Sequence, residues 1–228
     1  MKKVVNFRQF GDALLRRVGR GQPKEKAVLH VPKPLDPHLD AFEHQHAHYA
    51  QACDKADEAR ETRDLALEAI GLADAAVDTS VEKLANVLVG AGLGERRNPF
   101  EAYSPHSVSQ LCRLPYAKTA PAVRDLVGGI TARKPSADVL NAATDSLHKA
   151  NVLDERLQAL MTPQAMYEGA MKSRDLLLLD WTKAIGSLKI QAKAALANDP
   201  GTLEALLALP PAVTQPKQRR RKAKDVAG

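Results

Sequence analysis

Cysteine is scarce, aromatic residues are few, and long apolar runs are missing. The two cysteines, Cys53 and Cys112, lie far apart in 228 residues. They form neither a disulfide framework nor a cysteine-based zinc site. No stretch approaches the ~20 apolar residues that a membrane-spanning helix needs. The N-terminus lacks an apolar run followed by a small-residue cleavage site, so a cytoplasmic protein is expected. Aromatics make up 4% of the chain, too few to fill a thick core or line a deep ligand pocket with ease. No strand-turn-helix with a Gly-Lys-Ser/Thr signature and no nucleophile turn occurs, so nothing points to a catalytic centre. No cofactor is expected.

What is present is helix-forming. Apolar residues supply 44% of the chain, and alanine is more than a third of them. Alanine forms helix readily but buries little area. Small residues let helices approach closely. The expected fold is all-α: an elongated bundle of two long antiparallel helices with a shorter middle helical segment and flexible basic ends.

The formal charge of +6 is unevenly spread. Nine bases stand against Asp12 and Glu25 in residues 1–34, and twelve acids stand against four bases in residues 35–90. The end is basic again through Lys217, Arg219, Arg220, Arg221, Lys222 and Lys224. A basic head and tail on an acidic body suggest a polyanion partner or self-association.

Phe7, Phe10, Leu14 and Val18 recur at near-helical spacing, with Arg16 and Arg17 on the other side. This reads as a basic amphipathic helix over residues 1–20, too short to be stable without a surface to dock on. The surface is the chain's own body, another protein or an anionic membrane. Residues 21–36 hold Gly21, Pro23, Pro32 and Pro34 and read as a tether. Phe7, Phe10, Leu14, Val18, Arg16 and Arg17 are therefore the candidate partner-binding residues.

The bundle is expected over 37–209. Asp36 and Pro37 make a cap-then-proline start. Phe42, Tyr49, Ala56, Arg63, Ile70, Val77 and Leu84 then follow seven apart. That heptad stripe predicts one helix of roughly 53 residues, roughly 80 Å long, with Arg63 as a flaw in its seam. Gly90, Gly92 and Gly94 end it. Shorter helices follow over 106–113 and 117–133. A second long pattern runs from Ser136 to Asn198, kinked near Pro163. Thr202 to Leu209 is a short amphipathic helix, and 210–228 reads as a disordered basic tail.

Three constellations carry chemistry of their own. Asp40, His44 and His48 share one helix face at spacings of four, which suits a metal ion if further ligands arrive. Glu43-x-x-His46 and Asp145-x-x-His148 resemble one half of the ligand set of a di-iron bundle. Gly90 to Gly94 with Arg96 and Arg97 is a phosphate loop in composition, although its position after a helix favours a C-cap. Arg113 beside Cys112 could lower the thiol's pKa, but no base is assigned to the thiol.

The leading expectation is a non-enzymatic structural or assembly protein that self-associates or docks a partner through its N-terminal segment, as an oligomer. One alternative is a nucleic-acid-associated protein that uses the C-terminal tail, whose contacts would be salt-sensitive and unspecific. Another is a metal-binding helical-bundle enzyme.

Overall fold

A computed structural model describes residues 6–20 and 29–210. The fold is all-α, with no strand among the described residues. The helices are α1 (Phe7–Arg17), α2 (Asp36–Gly90), α3 (Val108–Leu111), α4 (Tyr116–Thr131), α5 (Ala137–Ala159), α6 (Met161–Ala195) and α7 (Pro200–Leu207). No helix among the described residues is long and apolar enough to cross a membrane.

Helix ends follow local chemistry. Asn6 caps α1 by accepting from the Gln9 N–H at 3.2 Å, so the helix starts at Phe7. Gly19 stops α1 at φ +73°, with Gly19 N–H donating to Arg16 O and Arg20 N–H to Leu15 O. Gly92 ends α2 the same way at φ +69°, with Gly92 N–H on Val89 O and Leu93 N–H on Leu88 O. Both are Schellman caps with glycine in the left-handed position. Gly92→Ala is expected to destabilise the fold by about 1 kcal/mol, read as a lower urea midpoint at unchanged m-value.

The interruption between α5 and α6 falls at Leu160, whose backbone remains helical at φ −68° and ψ −26°. Pro163 sits in the first turn of α6, where its missing N–H forfeits no helical bond.

The chain divides into two compact units. The terminal unit joins Met1–Gln51 to Asp175–Gly228, and the middle unit is Ala52–Arg174. Both long helices, α2 and α6, therefore contribute to each. In the middle unit the core lies between the later part of α2, α4 and α5, with Leu84, Leu88, Phe100, Leu126, Ile130 and Leu153 all fully buried. The buried Ser146 hydroxyl donates to Ser80 O across this core at 3.1 Å, and the Arg63 guanidinium lies 4.1 Å from the centre of the Tyr167 ring. Together these contacts run α2 opposite to the chain from α5 into α6.

The heptad stripe of α2 is the core stripe. Phe42, Tyr49, Ala56, Ile70, Val77 and Leu84 are buried, whereas Arg63 is half-buried. Stacking of Arg63 on Tyr167 explains how a base occupies that seam, because a guanidinium pairs favourably with an aromatic face. Between 57 and 69 of α2 no residue is buried, and none is between 154 and 174. The seam alanines Ala59 and Ala66 are too short to close it.

Candidate functional site

The N-terminal helix was the first candidate site, and the structure gives its apolar stripe a seat within the terminal unit. Phe10 and Leu14 are buried, Val18 is half-buried and Phe7 is partly open. The seat is Trp181 of α6, the chain's single tryptophan and 2% exposed. Ring centres of Phe7, Phe10 and Phe42 stand 5.5, 6.3 and 5.5 Å from the Trp181 ring, all edge-on, and Tyr49 stands at 6.1 Å. Five of the nine aromatic residues thus meet at one point, the three phenylalanines in the edge-to-face geometry that aromatic rings favour and Tyr49 tilted. Phe10 and Leu14 thus pack on the chain's own body, one of the three surfaces expected for this helix.

Polar contacts fix the same seat. The indole N–H of Trp181 donates to His46 Nδ1 at 3.1 Å, and His46 Nε2 lies 2.8 Å from Asp12 Oδ1. Indole can only donate, so Nδ1 must accept and Nε2 carries the proton towards Asp12. Gly11 allows this approach, since a Cβ there would stand 2.3 Å from the His46 ring. Arg17 donates to the carbonyls of Leu206 and Ala208 at 3.2 and 2.7 Å, at the C-terminal end of α7, where a cation is favoured. Arg16 remains exposed.

Arg20 follows the Gly19 cap and pairs with Asp36 at 2.9 Å and with Asp40 and Glu43. This bears on the metal constellation. His44 and His48 face one another with Nε2 atoms 3.2 Å apart, but Asp40 is held by Arg20. No group of three metal-ligating side chains forms among the described residues. The half-site pattern Glu43-x-x-His46 is likewise used otherwise, because Glu43 faces Arg20 and both ring nitrogens of His46 are engaged. The tail bases Lys217, Arg219, Arg220, Arg221, Lys222 and Lys224 lie outside the described residues.

The glycine-rich segment after α2 is a helix stop followed by a close turn. A Cβ on Gly94 would stand 2.6 Å from Pro99 O, so glycine here permits the turn to close. Nearby, Arg133 donates to Ala102 O at 3.0 Å and lies 4.7 Å from the centre of the Tyr103 ring, which ties the loop to α4. A concavity of about 550 Å³ opens here, lined by Leu93, Tyr103, Ile130, Arg133 and Val139 among others.

The cysteine expectation is reversed. Burial pushes the Cys112 thiol up from 9.0 to about 12, helped by its hydrogen bond to Asp78 and by the charges of Asp78, Glu82 and Asp74. Asp74 itself is raised, by burial first and by Asp78 second. A carboxyl whose folded pKa lies above its unfolded value favours folding only while protonated, so stability falls as pH rises from about the unfolded value through the folded one. Asp74→Asn is therefore expected to raise the thermal midpoint at neutral pH. The gain should vanish in acid, below the unfolded carboxyl pKa.

Sequence reasoning missed Trp181 and His46 as the partners of α1, and Asp12 as the α1 residue that meets His46. Two signals were available: a lone tryptophan on an apolar stripe, and a glycine inside an amphipathic helix, which marks a close approach. No protein-family model, curated protein or solved structure matches this chain.

Proposed function

We propose that this protein is a non-enzymatic assembly protein whose helices associate with further copies of the chain. The observation that carries the reading is the row of large apolar side chains left open on the long helices. Leu65, Leu72 and Met166 in the middle unit, and Leu176, Leu179 and Ile190 in the terminal unit, are each 59–69% exposed. Isolated apolar side chains are ordinary on a surface, but recurrence on outer faces of two long helices is the pattern of a helix-packing interface. A core rich in alanine and a seam unfilled over 57–69 add to this, since such helices gain burial mainly by packing on others. The stripe of α1 is committed internally, so association through the long helices is preferred over docking through the N-terminal helix.

Size-exclusion chromatography with light scattering on untagged full chain tests the reading. A mass above 24.7 kDa that grows with concentration, at a protein-only absorbance ratio, is expected. A monomer at every concentration contradicts it.

A further inference from the structure

His44 and His48 stand one turn apart on α2 in the terminal unit, and both are exposed. Their Nε2 atoms converge to 3.2 Å and their ring centres to 4.5 Å, with the ring planes tilted by 56°. A hydrogen bond accounts for that approach, with one Nε2 donating its proton and the other accepting. The same geometry suits a metal ion. Two imidazole nitrogens bound to one tetrahedral zinc, at ~2.0–2.1 Å each, stand about 3.3 Å apart. The observed separation is close to that spacing, so an ion takes the proton's place with little movement of either ring.

The surroundings favour a cation. Asp36, Asp40 and Glu43 of this stretch of α2 are set against one base, Arg20. Three carboxylates against one guanidinium leave the start of α2 net negative, which draws positive ions to it. Asp40 lies one turn before His44, but Arg20 holds its carboxylate. His46 is 3% exposed, and both its ring nitrogens are engaged, by Trp181 and by Asp12. Only His44 and His48 of this cluster therefore present converging nitrogens to solvent.

We propose that His44 and His48 chelate a divalent ion of the Zn²⁺, Ni²⁺ or Cu²⁺ class through their Nε2 atoms, with water in the remaining positions. Imidazole suits these ions, whereas Mg²⁺ and Ca²⁺ take oxygen ligands. Once one ring has bound, the second binds within the same molecule, so the pair holds an ion more tightly than a lone surface histidine does. Two protein ligands leave positions open, so the ion exchanges readily and can accept a further donor. The inference is independent of the self-association reading.

Isothermal titration calorimetry with zinc chloride, on untagged full chain first dialysed against a chelator, tests it. The unaltered chain is expected to bind zinc, and His44→Gln and His48→Gln are each expected to weaken that binding at least about tenfold. Both rings are exposed, so neither change should disturb the fold, and circular dichroism checks this. His148→Gln removes an exposed imidazole that has no other histidine within a turn of it, and is expected to leave the affinity unchanged. Zinc held as tightly by His44→Gln or His48→Gln as by the unaltered chain would overturn the proposal. So would an equal loss in His148→Gln, or an unaltered chain that binds no zinc.

Discussion

Trp181→Ala is expected to destabilise the terminal unit by about 3–5 kcal/mol, the range for removing a buried large aromatic. The ring touches Phe7, Phe10, Phe42 and Tyr49, and its N–H is the donor for His46 Nδ1. Removing it opens a cavity and leaves a buried acceptor without a partner. Helix α1 depends on this ring, so its amides should exchange faster with solvent than those of α4 and α5. Trp181→Phe separates the two contributions. It keeps an aromatic ring and loses the donor, so it should cost less, about 1–3 kcal/mol for the orphaned acceptor. Urea unfolding followed by circular dichroism measures both variants. In the unaltered chain, tryptophan fluorescence reports on the terminal unit alone, since Trp181 is the only tryptophan. A Trp181→Ala protein with unchanged stability would show that α1 is held by something else.

The second large effect is chemical. With its pKa pushed up to about 12 from 9.0, Cys112 should hold about a thousandfold less thiolate at pH 8 than an ordinary thiol. The thiolate is the nucleophile, so alkylation of Cys112 in a Cys53→Ser background should be slower by about that factor than in urea. Cys112 is half-buried, so access alone does not account for such a factor. Asp78→Asn removes the nearest negative charge and should return part of the reactivity. Labelling as fast in the native protein as in urea would contradict the assigned environment.

Much of this architecture is legible in residue spacing. The heptad in α2 placed Phe42, Tyr49, Ala56, Ile70, Val77 and Leu84 on the buried face, because burial on one side of a helix enforces the period. The glycine and proline punctuation located the helix ends to within a few residues. Three-dimensional partners were not legible. Trp181 is 135 positions from His46, and nothing local in either neighbourhood announces the other. The reading of Cys112 failed for the same reason. Its sequence neighbour Arg113 is basic, but burial first, and then Asp78, Glu82 and Asp74 of α2, push its thiol up. The metal reading of Asp40, His44 and His48 was correct about the shared face of the two imidazoles. It could not foresee that Arg20, aimed by the Gly19 cap, takes the carboxylate. Within the bundle core the one flaw in the heptad, Arg63, needed Tyr167 from α6 to make sense.

The outer stripes show the complementary case. Leu65 and Leu72 on α2, and Leu176, Leu179 and Ile190 on α6, stand out only once the inner faces are assigned. These second apolar stripes, on helices that already have a core face, are what supports the proposed self-association.

Sedimentation velocity on the untagged full chain, over a wide concentration series at low and at high salt, tests the central claim most directly. The account predicts a weight-average mass that rises with concentration. A single monomeric species throughout the series, at both salt concentrations, would contradict it.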